Sequence, residues 1–191
     1  MIHTHLLESY SVADYLSWEG DWELIYGQPL AMTPSPGVLH QRVSSAIHAQ
    51  LFSALEPCPS CEVLFEIDVE FAAETVVRPD LVVISYPAQG DRLTRAPELI
   101  VEVVSHLRSR RDEVIKFDLY QREGVAYYIL AYPEAQKTKV YGLRENVYVK
   151  VGDFFDEKLR FDLSKCSFDF DFGSVWPKEN QRSNQTGQLH A

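Results

Sequence analysis

Three short stretches of the chain, residues 79–85, 98–105 and 125–132, are apolar almost without interruption. Runs of that length, rich in Val, Ile and Leu, are strands buried on both faces. A sheet built on them must be covered from both sides, and the sequence supplies helices to do it. From 38 to 55 the residues Val43, Ile47, Leu51 and Leu55 recur every fourth position, with Ala46 and Ala54 beside them, which predicts an amphipathic helix. A second helix is expected over about 106–123, closed by Gly124. Ser11 with Asp14 in the first turn starts a short helix that ends near Gly20. Further strands are expected at 22–26 and 30–32 around a turn at Gly27, and at 138–141, 147–151 and 160–169. The clearest alternation runs from Glu62 to Phe71. There Val63, Phe65, Ile67, Val69 and Phe71 form a core face, and Glu62, Glu66, Asp68 and Glu70 an acidic one. The class is α/β or α+β, with one central mixed β-sheet flanked by helices. The 191 residues suffice for a single domain, 1–176, followed by a polar tail, 177–191, expected to be disordered.

Two of the three apolar runs hold a residue that buried strands should not. Asp80 opens the first and Glu102 lies in the middle of the second. Because side chains alternate along a strand, Asp80 shares a face with Val82 and Ile84, and Glu102 with Ile100 and Val104. A lone buried carboxylate is strongly disfavoured unless it is paired, protonated or bound to a cation. The two acids are therefore expected close together on neighbouring strands around a divalent ion, and paired hard oxygen ligands suit Mg²⁺ or Mn²⁺. A salt bridge from Glu102 to an arginine, with Asp80 merely marking a strand entry, satisfies the same pattern.

Charge and composition limit the partners. Lys and Arg number 18 against 28 Asp and Glu, for a net charge of −10. That excludes a broadly basic surface of the kind that coats nucleic acid, but leaves room for a local basic groove. No apolar run reaches the ~18 residues of a membrane span. The opening Met1-Ile2-His3-Thr4-His5 has neither the basic region nor the apolar core of a secretion signal, and three cysteines make no disulfide framework. A cytoplasmic location is expected. Cys58 and Cys61 form one CxxC between prolines; a zinc ribbon needs a second pair, so they are expected to be unpaired thiols.

Several motifs, in order, carry a family resemblance. They are Trp22-Glu23-Leu24-Ile25 with Gly27, Met32, Pro34 and His40; Arg78-Pro79-Asp80-Leu81-Val82-Val83; Pro97-Glu98-Leu99-Ile100-Val101-Glu102-Val103-Val104-Ser105; Lys116 with Tyr120; and Gly124-Val125 with Tyr127-Tyr128. From about residue 10 to 150 the chain resembles the Uma2 family, bacterial endonucleases of the PD-(D/E)xK superfamily with the restriction-endonuclease-like fold. The resemblance implies that Asp80 and Glu102 are the metal-binding acids. The superfamily's usual lysine would fall at Val104; the family carries it on the following helix, where Lys116 stands. It further implies metal-assisted hydrolysis of DNA, with Lys116 orienting a water or neutralising the phosphate, and a homodimer that addresses two strands.

Other residues are open to two readings. Lys116 lies four residues after Asp112, spacing that also fits a surface ion pair. Arg108, Arg110 and Arg111 either contact flanking phosphates or form a solvated cluster with Asp112 and Glu113. Glu23, His40, Glu66 and Tyr120 are candidate accessory residues. For Glu23 an exposed strand position competes with that role, and for His40 a structural one. Two rival functions remain: a catalytically silent protein-interaction module on the same fold, and an RNA or nucleotide phosphodiesterase using the same acids.

Overall fold

The computed structural model describes residues 8–32, 35–105 and 110–177. The polar tail beyond Pro177, and Arg108, lie outside the described residues. Six strands form the central sheet: β3 (Glu62–Phe65), β6 (Leu81–Ile84), β7 (Leu99–Val103), β8 (Tyr127–Tyr132), β9 (Lys137–Arg144) and β10 (Val147–Phe154). Their order is β10-β9-β8-β7-β6-β3, and only the β7–β8 pair is parallel. The three apolar runs are thus neighbours in the middle, and every residue of β6 and β7 is buried. A second sheet, in the order β2-β1-β5-β4, joins β1 (Trp22–Ile25), β2 (Gln28–Ala31), β4 (Val69–Ala72) and β5 (Thr75–Val77). The β11 (Lys158–Asp162) and β12 (Ser167–Asp171) hairpin stands apart from both sheets.

The two-residue period of the central strands sorts the core into two layers. Leu81, Val83, Leu99, Val101 and Val103 face helix α2 (Val38–Leu55), which packs with Val43, Ile47, Leu51 and Leu55, and the hairpin adds Phe161, Phe168 and Phe170. Val82, Ile84, Ile100 and Val104 turn the other way, toward Leu119 and Tyr120 of helix α3 (Phe117–Arg122). Ile25, Val69 and Val77 of the second sheet pack in that same layer, so this sheet lies on the α3 side. The short helix α1 (Val12–Tyr15) begins at the expected cap, with Ser11 and Asp14 bonded reciprocally, but runs for only four residues. At Gly27, φ is +75°, and a Cβ would lie 2.1 Å from Ser9 Oγ, so glycine is strongly favoured in the β1–β2 turn.

Three local expectations are corrected. The alternating stretch from Glu62 to Phe71 is not one strand. Glu66 takes φ +41° while its amide donates to the Asp80 carbonyl, and the chain leaves the central sheet there to enter the second one. Phe65, expected in the core, is 44% exposed. Residues 160–169 fold back on themselves as the β11–β12 hairpin. The segment before α3, expected as part of one α-helix, is a π-helix over Arg111–Lys116, with Asp112 and Lys116 buried and Ile115 37% exposed.

If the α2 stripe holds the first layer together, the cost of truncation follows burial. Leu51→Ala, at a fully buried position, should lower stability by about 2–5 kcal/mol in urea unfolding. Val38→Ala, at a position 70% exposed, should stay within about 0.5 kcal/mol. Equal losses at the two sites would contradict this packing.

Candidate active site

Where the carboxyl end of β7 meets the π-helix, a cavity of about 300 Å³ opens between the two sheets. Glu102 reaches it from β7 and Asp80 from the residue before β6. The β6–β7 register pairs Leu81 with Val101, so the next step outward brings Asp80 beside Glu102, as the alternation predicts. Glu23 comes from β1, His40 from the first turn of α2, and Arg111, Asp112 and Lys116 from the π-helix.

Lys116 is the centre of this arrangement. The residue is 3% exposed, and its ammonium lies 2.7 Å from Glu23 Oε1 and 2.8 Å from Glu102 Oε1, with Asp112 Oδ1 at 4.0 Å. The surface ion pair with Asp112 is therefore ruled out. Burial lowers the tendency of Lys116 to hold a proton, but the Glu102, Glu23 and Asp112 carboxylates more than reverse this and keep it charged. Tyr120 donates from its hydroxyl to the same Glu102 Oε1 at 2.8 Å. Burial, with Glu102 beside it, pushes the Tyr120 phenol well up, so it remains a donor.

Glu23, weighed as an exposed strand residue, is 1% exposed. Its Oε1 also accepts the Arg78 amide at 3.0 Å, and its Oε2 lies 3.4 Å from Arg111 Nη1. Asp80 is fixed by two contacts to Oδ2, the Val103 amide at 2.6 Å and His40 Nε2 at 3.2 Å. His40 Nδ1 in turn lies 3.4 Å from Ser44 Oγ. His40 is thus the residue that orients Asp80.

Other candidates fall elsewhere. Arg111 turns inward, its guanidinium donating to the Ala31 carbonyl at 3.3 Å, and Glu113 pairs with Lys139 at 3.0 Å, so among the described residues Arg111 and Glu113 form no solvated cluster. Arg110 is exposed and does not line the cavity. Glu66 is exposed at its bend, away from the cavity lining. Arg78 lines the cavity but is paired with Asp68 at 2.7 Å and Asp21 at 2.9 Å. The sequence suggests for Asp112 a surface pairing with Lys116 or a solvated cluster with the neighbouring arginines; the hint of its place in the cavity is the four-residue spacing that puts it and Lys116 on one helical face.

Four carboxylates, Glu23, Asp80, Glu102 and Asp112, thus share one cavity with the cations of Lys116, Arg111 and Arg78; with Arg78 already matched to Asp68 and Asp21 outside the lining, the four acids exceed the other two cations by two formal charges. The surplus registers on the acids themselves. Burial, with Asp112, Asp80 and Glu23 nearby, holds Glu102 well above the usual carboxylate range despite Lys116. Burial pushes the Asp112 carboxyl up to about 6. A divalent cation would cancel the surplus, and hard carboxylate oxygens are the donors that Mg²⁺ and Mn²⁺ prefer. The contacts to Asp80 and Glu102 each fall on one oxygen of the carboxylate, which leaves the second as a donor for an ion.

With this geometry in place, comparison with known proteins gives a consistent picture. Among solved structures the chain is similar to one described as "a putative nuclease belonging to DUF820", from Anabaena variabilis ATCC 29413. The TM-score is 0.71 at 16% identity, covering 87% of this chain and 97% of that one. At that identity the likeness establishes the fold, a central mixed sheet with few helices. No curated protein matches the chain. The family model described as "Uma2: Putative restriction endonuclease" matches residues 12–164, a span that includes Glu23, Asp80, Glu102 and Lys116. The chain belongs to the Uma2 family.

Proposed function

We propose that this protein is a metal-dependent endonuclease that hydrolyses DNA phosphodiester bonds in the cytoplasm, acting as a homodimer so that two sites address two strands. The observation that carries the reading is a buried, charged Lys116 held 2.8 Å from Glu102 in a cavity that Asp80 also lines. Family membership and the nuclease-like fold support it. Asp80 and Glu102 would hold Mg²⁺ or Mn²⁺, an ion that polarises a phosphate and lowers the pKa of a bound water.

The protein's own residues do the positioning. Lys116 donates a hydrogen bond to Glu102 and pairs with Glu23 at 2.7 Å, and the two carboxylates together fix the ammonium at the cavity. A fixed, buried positive charge stabilises negative charge as it develops on the phosphate. Tyr120 orients Glu102 and His40 orients Asp80, so neither acid is free to swing away.

The net charge of −10 is the one feature that favours a catalytically silent interaction module. Incubating the pure protein with plasmid, linear and single-stranded DNA, and with RNA, in Mg²⁺, Mn²⁺ or EDTA separates the readings. Metal-dependent cleavage of DNA is the expected result, abolished in Asp80→Asn while folding and the Val103 contact persist. Cleavage confined to RNA would shift the substrate. No cleavage in any metal, with no Mn²⁺ uptake in calorimetry, would leave the silent module.

Burial of Asp112, with Asp80 and Glu23 beside it, also predicts a pH dependence. Asp112 is raised from its ordinary 3.8 to about 6, so the fold favours its protonated form. Its contribution to stability is complete below about pH 4 and is lost as pH rises through about 6. Thermal melts of metal-free protein should therefore fall more steeply across that window in wild type than in Asp112→Asn. Mg²⁺ should restore wild-type stability above the window and leave Asp80→Asn unchanged. Identical pH profiles in wild type and Asp112→Asn would overturn the assignment.

A further inference from the structure

The acidic cavity makes no use of the cysteines, and the fold gathers all three at one point. Cys58 and Cys61 lie on the turn after α2, where the Cys58 amide donates to the Leu55 carbonyl and the Cys61 amide to the Cys58 carbonyl, at 2.8 and 2.9 Å. Cys166 arrives 105 residues later, in the turn of the β11–β12 hairpin that the Leu163 amide closes onto the Cys166 carbonyl. The three sulfurs lie within 4.8 Å of one another, with Cys58 to Cys61 at 2.7 Å and Cys61 to Cys166 at 3.6 Å.

Small apolar residues would fill this corner equally well, so packing does not account for three sulfurs meeting from two distant segments. Metal geometry does. Zinc–sulfur bonds of about 2.3 Å in a tetrahedron set the sulfurs roughly 3.8 Å apart; the Cys61–Cys166 separation of 3.6 Å is close to that, and binding would widen the 2.7 Å between Cys58 and Cys61. A C-x₂-C turn is the usual two-ligand half of a thiolate zinc site. The sequence lacks a second pair, but the hairpin supplies a third thiolate. An entry path exists too: a cavity of about 470 Å³ is lined by both Cys58 and Cys61, and leaves room for water as a fourth ligand. Thiolates are soft donors and select against Mg²⁺, so this site and the carboxylate cavity take different metals.

We propose that Cys58, Cys61 and Cys166 bind one Zn²⁺ through three thiolates, each thiol releasing its proton, and that the ion pins the β11–β12 hairpin to the foot of α2. The hairpin pairs with neither sheet. Its aromatic residues Phe161, Phe168 and Phe170 nevertheless sit in the same layer as Leu51 and Leu55, so a clamp at its turn secures that layer.

The full chain, purified under reductant and stripped with a chelator, tests this by titration with Co²⁺ and then Zn²⁺. One equivalent of Co²⁺ should produce a thiolate-to-cobalt charge-transfer band, Zn²⁺ should bleach it, and Zn²⁺ should raise the unfolding temperature. Cys166→Ser should lose the band, and Asp80→Asn should keep it. Independently of any variant, Zn²⁺ should protect all three cysteines of the wild type from alkylation, counted by mass spectrometry. The proposal is overturned by a reduced wild type with no thiolate band, by a band that survives Cys166→Ser or vanishes in Asp80→Asn, by alkylation that ignores Zn²⁺, or by a Cys58–Cys61 disulfide without metal uptake. DNA cleavage does not enter these readouts, so the outcome is separate from that of the nuclease reading.

Discussion

One ammonium, buried among carboxylates, ties the separate pieces of this protein together. Lys116 belongs to the π-helix, Glu102 to the central sheet and Glu23 to the second sheet, and their charged atoms meet within 2.8 Å. Losing Lys116 would leave the Glu23 and Glu102 carboxylates buried without their shared cation, at a cost of about 3–5 kcal/mol. The second sheet is therefore held on the α3 face by apolar packing and by this ionic contact together. A charged cluster of this kind is weak evidence for stability, since apolar residues of similar volume would pack as well. What it provides is a fixed array of charge facing a cavity, which is what metal and phosphate chemistry requires.

Much of this was legible in the sequence, because burial on both faces leaves a plain mark. The apolar runs at 79–85 and 98–105 identify the middle of the sheet, and the two-residue period correctly puts Asp80 and Glu102 on the face toward α3. The four-residue stripe of α2 sits against the opposite face as expected. The failures lie where backbone conformation departs from residue pattern. Alternation continues through Glu66, yet a left-handed φ there ends one strand and starts the route to another sheet. No Asn-Gly or Asp-Gly pair marks the hairpin turn between Asp162 and Ser167, so 160–169 reads as one strand.

The site was half legible for a related reason. Asp80 and Glu102 stand out as acids inside apolar runs, whereas Glu23 follows Trp22 in a short strand with no alternation to betray it. Its partner Lys116 lies 93 residues away, and neither residue alone reveals the pair. The π winding itself leaves no mark in the sequence, although the four-residue spacing of Asp112, Lys116 and Tyr120 does place all three on one buried face. Such segments concentrate at functional sites, and this one carries three of the charged residues that line the cavity.

The central claim is that Asp80 and Glu102 jointly hold a divalent cation beside a charged Lys116. Anomalous scattering from crystals of the protein soaked in Mn²⁺ tests it most directly. The account predicts a manganese peak in the cavity, roughly 2.1 Å from one oxygen of Asp80 and one of Glu102, with the Lys116 ammonium still within hydrogen-bond distance of Glu102. Well-ordered Asp80 and Glu102 carboxylates with no manganese between them would contradict it.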